Sequence, residues 1–315
     1  MSRLWKVNVW AFSVEVPAAF QTTGGAARLG SVDVRVSVRS AAPDGSMSIA
    51  IGDSTIPPMI EPSPFLAMAG YGEGSMYSPG YGQQLLVAQY QSGAEFARDH
   101  VQRFASGCAG LALSGVAERA DAVRAINDVG ASLGQHGVSM TTTAGELRYR
   151  CTRNGMPRDG YLIAATQSTR LQDVPGMPRL WHVPYLYAFE ADQGRADEAG
   201  QLLSGMVASF QVSEQWASTQ SQTALQTSRI VTRTNEAIGQ IVKATFESRN
   251  RVMSEISRRR SNAMVGAVDV VDASGDTMKV ESGSNYYWIN NQGRIVGTDV
   301  AAAPSLDFRG LTVWP

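Results

Sequence analysis

Residues 213–262 read SEQWASTQSQTALQTSRIVTRTNEAIGQIVKATFESRNRVMSEISRRRSN, with one glycine and no proline. Such a run is predicted to be one long helix, roughly 75 Å from end to end at 1.5 Å per residue. Within it Ile238, Ile241, Val242, Thr245, Phe246, Val252, Met253 and Ile256 recur at spacings of three and four, which makes a narrow apolar stripe. No domain of this size covers such a length, so the stripe needs a partner: the chain's own N-terminal part over some turns, or the same helix of a second copy. Ile238, Ile241, Val242, Phe246, Val252, Met253 and Ile256 are therefore the self-association candidates, and a homo-oligomer is expected. Gly239 costs about 1 kcal/mol relative to alanine and marks a place to bend. Residues 218–234 are polar on nearly every face and read as a solvated connector. Arg249, Arg251, Arg258, Arg259 and Arg260 form a basic cluster, but Glu247 and Glu255 are interleaved, so a salt-bridged face is favoured over a nucleic-acid patch.

Composition supports folded parts on either side of this helix. The chain has 315 residues, 43% hydrophobic and 17% charged, and a net charge of −1 that offers no field for nucleic acid or an acidic membrane. No apolar run is long enough to span a bilayer. The first twenty residues alternate like a strand and lack an apolar signal core, so the chain as written is expected in the cytoplasm; an extracytoplasmic setting follows if a leader was replaced. Cys108 and Cys151 are either a bridge or two buried thiols, because pairing depends on a distance that spacing does not supply.

Before the helix, strands dominate. Residues 11–17 alternate, Gly24-Gly25 is expected to turn, and residues 32–38 place four valines on one face, with 47–51 returning as the hairpin partner. Residues 56–81 pack five prolines among Phe65, Tyr71, Tyr77 and Tyr81, an ordered loop that either covers a sheet face or acts as a binding lid. Residues 84–90 read as a strand, and 94–104 as a helix with Phe96, His100, Val101 and Phe104 on one stripe. A helix is expected over 114–135, with Ala117, Ala120, Val123, Ile126, Asn127 and Leu133 inward. Strands follow at 137–143, 145–153 and 161–168, the last two joined by a turn over 154–160. An aromatic strand, 181–189, and an amphipathic helix, 197–212, complete this part. Tyr71, Tyr77, Tyr81, Trp181 and Tyr185 are the binding candidates, for a small-molecule or protein ligand.

The opening Phe-Ser-Val-Glu-Val-Pro strand (Phe12 to Pro17) with Phe20 and Gly24 after it, the antiparallel strands, and a last helix ending in Ser209-Phe210 resemble the PsbP/Mog1-like domain. The resemblance covers residues 5–216. It implies an α/β/α sandwich around an antiparallel sheet, and a non-catalytic adaptor or accessory role with no catalytic set to carry over. The long Pro/Gly/Tyr loop departs from that pattern. The expected organisation is thus α+β: the sandwich domain (5–216), the long helix (217–263), and a small β meander of about four strands (264–315). The segment SGSNYYWINNQGRIVGTD (282–299) resembles C-terminal segments of uncharacterised bacterial proteins.

Reacting constellations are sparse. Gly52-Asp53-Ser54-Thr55 matches the Gly-Asp-Ser block of GDSL-type hydrolases, but none of His100, His136 and His182 has the aspartate three residues earlier that this chemistry needs. A hydrolase on ester or glycoside substrates, using Ser54 or Ser75 with His100 or His182, is the rival to a binding protein. No histidine or cysteine spacing suits a metal, and no glycine-rich phosphate loop precedes a helix, so no metal or cofactor is expected.

Overall fold

The chain folds as a sheet-rich α+β protein with a long C-terminal helix followed by a small antiparallel sheet. The computed structural model describes residues 4–9, 11–28, 34–80, 83–132, 140–169, 178–220 and 222–314. Its first elements are β1 (Leu4–Val9), β2 (Phe12–Pro17), β3 (Gln21–Arg28), β4 (Val34–Ala41), β5 (Met47–Ile51), β6 (Met59–Ile60), α1 (Pro64–Met68), β7 (Met76–Gly80) and β8 (Gln83–Val87). Then come α2 (Gly93–Phe104), β9 (Ala109–Glu118), α3 (Ala120–Ser132), β10 (Met140–Arg153), β11 (Met156–Thr169), β12 (Leu180–Asp192), α4 (Ala196–Ser209) and β13 (Gln211–Val212). The last are α5 (Glu214–Gln220), α6 (Gln222–Met264), β14 (Ala267–Val271), β15 (Thr277–Glu281), β16 (Tyr286–Asn290), β17 (Ile295–Thr298) and β18 (Phe308–Val313). Two compact units result, Met1–Phe246 and Glu247–Pro315, and the division falls inside α6.

The first unit is built on the hairpin β10–β11. Asn154 and Gly155 both have positive φ, 53° and 77°, which suits a two-residue turn whose twist matches the flanking strands. The turn is therefore shorter than the expected 154–160, and the strands longer. Gly145, expected to open a separate strand after 137–143, lies inside the continuous β10. A Cβ there would sit 2.3 Å from the Ala94 nitrogen, so the glycine admits the first turn of α2 onto the strand. The principal sheet runs β3-β4-β5-β12-β11-β10-β9, with β6, β7 and β8 attached through β12; β6 and β8 pair in parallel and all other neighbours antiparallel. A second sheet has the order β1-β2-β13.

Both faces of the middle strands of the principal sheet, β11 and β12, are buried. Tyr161, Ile163 and Ala165 of β11 join a core with Phe12 and Val14 of β2, Leu203 and Met206 of α4, and Ile238, Val242 and Phe246 of α6. The alternate residues Leu162 and Ala164 join a second core with Phe96, Ala97 and Val101 of α2. Each large apolar side chain so buried contributes roughly 1.5–3 kcal/mol.

Several expectations change here. Residues 114–118 belong to β9, whose Leu111, Leu113 and Val116 pack on the second core; the helix starts only at Ala120, and Ala117, Ala120 and Asn127 are exposed. Leu133, His136 and the start of the strand expected at 137–143 lie outside the described residues. Gly24 and Gly25 are inside β3, where a Cβ at Gly24 would meet the Ser37 carbonyl oxygen at 3.1 Å. The long helix is present as α5 and α6, with residue 221 between them outside the described residues. Gly239 is a contact point: a Cβ would be 2.8 Å from that of Ala208, and Ser204 Oγ donates to the Gly239 carbonyl at 3.0 Å.

In the second unit the sheet order is β15-β14-β18-β16-β17. The expected four-strand meander thus gains β18, which enters between β14 and β16 and closes a small core of Val270, Tyr287, Ile289 and Leu311. The end of α6 is tied to this sheet by Asp269, which pairs with Arg258 and accepts from Asn262 Nδ2 at 2.6 Å. Arg258 and Arg259 both bond Glu255 and hold its carboxyl down at about 2, so these basic side chains are laced into ion pairs.

Candidate functional site

Helix α2 forms one wall of a cleft of about 600 Å³ in the first unit. Sequence chemistry pins this helix at its start. Ser92 Oγ accepts from the Glu95 amide at 3.3 Å and the Glu95 carboxylate accepts from the Ser92 amide at 2.8 Å, a reciprocal cap. That backbone bond, with the Ser92 hydroxyl, lowers the Glu95 carboxyl. The Gly93 amide donates to Thr143 Oγ1 at 2.9 Å, and Gly93 and Gly145 lie backbone to backbone. Beyond the other end of the helix, Cys108 is bonded to Cys151 of β10, with Cα atoms 5.5 Å apart. The pairing that spacing left open is a disulfide.

The floor of the cleft is apolar: Met59, Leu86, Phe96 and Trp181. Trp181 is held by a hydrogen bond from Nε1 to the Ala88 carbonyl, 3.0 Å, and by an edge contact with the Tyr90 ring at 5.7 Å. The edge is polar. Asp99 accepts from Gln91, Arg103 Nε donates to the Asp99 carbonyl at 3.3 Å, and Glu73 and Gln89 line the opening. His100 is buried against the Phe96 ring; burial pushes its imidazole down to about 4, with the Asp53 charge opposing. A neutral His100 therefore lines the cleft at neutral pH.

The binding candidates separate. Trp181 is in the cleft floor, whereas Tyr185 is buried in the core on the other sheet face. A bulge explains this: between Ala165↔Tyr185 and Gln167↔His182, β11 advances two residues while β12 advances three, across Pro184. Tyr71 and Tyr77 meet edge to face at 5.1 Å and pack on Ile60, Leu66, Leu85 and Val87, so in this structure they cover a small core. Tyr81 lies outside the described residues.

For the serine candidates, Ser54 Oγ accepts from Ser37 Oγ at 3.2 Å and Ser75 Oγ donates to the Gly72 carbonyl at 2.5 Å. His182 is half-buried in β12. The self-association set also divides. Ile238, Val242 and Phe246 are buried in the first unit's core and Ile241 packs against it, so their apolar surface is spent within the chain; Val252, Met253 and Ile256 are exposed.

Sequence reasoning missed Met59, Gln91, Asp99 and Arg103. The helical stripe of α2 was visible in the sequence, but the loop that faces it is a long-range partner. Among the described residues, the one group with metal-ligating atoms in mutual reach is Cys108, Cys151 and Glu190, where both sulfurs are held in the disulfide. Burial of Glu190 is outweighed by Arg153, whose hydrogen bonds and charge hold the carboxyl below its ordinary value. No helix among the described residues is long and apolar enough to cross a membrane. No protein-family model matches the chain, and no curated protein matches it.

Proposed function

We propose that the chain is a non-enzymatic binding and assembly protein whose ligand occupies the cleft beside α2. The observation that carries this reading is the cleft's make-up: an apolar floor of Met59, Phe96 and Trp181 under a polar edge of Gln91, Asp99 and Arg103. Such a combination orients a small molecule with an apolar body and one or two polar groups, and about 600 Å³ is within the usual range for such sites. The PsbP/Mog1-like resemblance agrees with this role. In the same reading the first unit is an α/β/α sandwich, with α2 on one sheet face and α4 on the other. The disulfide favours oxidising surroundings over the cytoplasm. Self-association runs through Val252, Met253 and Ile256. The hydrolase reading has less behind it, since the hydroxyls of Ser54 and Ser75 engage Ser37 and Gly72.

The test is a thermal-shift and tryptophan-fluorescence titration of the full chain with fatty acids, aromatic carboxylic acids and amines. Saturable binding by at least one class is expected, and exposed Gln89, changed by Gln89→Trp, should block it without lowering the melting temperature. Absence of saturable binding, or binding that Gln89→Trp leaves unchanged, sinks the reading.

A further inference from the structure

Gly160 opens a lane between β10 and β12. It stands in register with Tyr149 on one side and Glu190 on the other, and a Cβ there would lie 2.1 Å from the Tyr149 ring. Across that gap the Glu190 carboxylate reaches the end of β10, where Cys151 is bonded to Cys108. The ligand atoms of Cys108, Cys151 and Glu190 all lie within 4.8 Å of one another. Zinc bonds sulfur at about 2.3 Å and carboxylate oxygen at about 2.1 Å, so tetrahedral ligands stand roughly 3.5–3.8 Å apart. A shift of about 1 Å brings three such atoms around one ion.

We propose that Cys108, Cys151 and Glu190 are a redox-conditional site for a thiophilic divalent cation, formed when a dithiol reduces the disulfide. The dithiol gives up two electrons and two protons and leaves as its own disulfide, while the S–S bond becomes two thiols. Metal entry then releases both thiol protons to solvent, and a water takes the fourth position.

The surroundings of Glu190 fit a ligand. Arg153 Nε and Nη2 donate to its two oxygens at 2.7 and 3.0 Å, and the Tyr149 hydroxyl donates at 3.2 Å. These bonds orient the carboxylate as outer-shell partners do and leave it lone pairs for an ion. Charge also balances: two thiolates and a carboxylate face a divalent cation and the Arg153 guanidinium, so the site buries no net charge. Sulfur with one oxygen selects a zinc-like ion over magnesium or calcium.

The experiment uses the full chain, reduced by a phosphine without oxygen, stripped of metal and titrated with zinc alone against a chromophoric chelator. About one zinc per reduced chain is expected and essentially none per oxidised chain. Glu190→Gln should weaken binding roughly tenfold or more. Cobalt in place of zinc should show the intense visible bands of a tetrahedral ion and near-ultraviolet thiolate charge transfer. Equal uptake by oxidised and reduced chains overturns the proposal, as does uptake that Glu190→Gln leaves unchanged. Circular dichroism closes the remaining case: a reduced chain that unfolds and is not restored by zinc overturns it as well.

Discussion

Helix α6 carries the same spacing of three and four on both sides of Phe246, yet the two stretches meet different surroundings. Ile238, Val242 and Phe246 are at most 1% exposed, whereas Val252, Met253 and Ile256 are 56%, 57% and 53% exposed. Periodicity states that a helix has an apolar face; what covers it is decided by surfaces remote in sequence. Phe246 enters a socket made by Tyr161, at 5.3 Å between ring centres, Phe189, at 5.7 Å, and Gly200, whose missing side chain leaves the room the ring occupies. Past Phe246 the helix is held by polar bonds to Asp269 and by Glu255–arginine pairs, which need no apolar cover.

The sharpest test compares truncations on the two stretches. Phe246→Ala should cost about 3–5 kcal/mol, the loss for emptying a well-packed aromatic site. Ile256→Ala should stay within about 0.5 kcal/mol, as exposed positions do. Urea unfolding of the intact chain measures both, and equal losses would break the comparison.

Acid should separate the two units next. All three histidines precede Phe246. Buried His100 titrates near 4 when folded, against an ordinary value of 6.5. Between those limits the unfolded chain binds a proton that the folded chain refuses, so stability is full above pH 6.5 and falls as pH drops toward 4. The total is roughly 3 kcal/mol. His100→Leu should flatten the stability of the first unit over this window and leave unfolding of the second unit unchanged; parallel pH profiles for wild type and variant would refute the assignment.

A smaller effect has an unusual sign. On an open helix face, exchanging glycine for alanine gains about 1 kcal/mol. Gly239→Ala should instead lose about 1–3 kcal/mol, because the new methyl would sit 2.8 Å from the Ala208 Cβ, where α6 and α4 are already in contact. A raised melting temperature would show that the helices part at little cost.

These contrasts also explain what was legible in the sequence. The β10–β11 hairpin could be read because Asn154-Gly155 is a strong local turn signal, and the long helix because nothing in it breaks the period. Strand β9 was hidden: its apolar Leu111, Leu113 and Val116 are diluted by Ala, Gly and Ser, and only pairing with β10 makes it a strand. Strand β18 likewise depends on partners already in place on both sides. The cleft was the least legible. Met59, Leu86, Phe96 and Trp181 come from four elements, and Trp181 and Tyr185, which share strand parity, are sent to opposite faces by the bulge at Pro184. No local pattern encodes that flip, because it is a property of the pairing between β11 and β12.

The smallest expected change in stability tests the largest claim about the exposed stretch. Ile256→Glu should alter folding stability by no more than about 0.5 kcal/mol, since the side chain is already more than half in water. If Val252, Met253 and Ile256 form a seam between copies, the new carboxylate would be buried there beside its own symmetry mate, where like charges without partners cost several kcal/mol. Light scattering across a concentration series is therefore expected to show an oligomer for the parent chain and a monomer for Ile256→Glu. Phe246→Leu, which keeps the buried stretch apolar, should associate as the parent does. A parent chain that is monomeric throughout, or a variant that associates equally well, would leave the exposed stripe as solvated surface. The difference between the two stretches of α6 would then be one of burial alone.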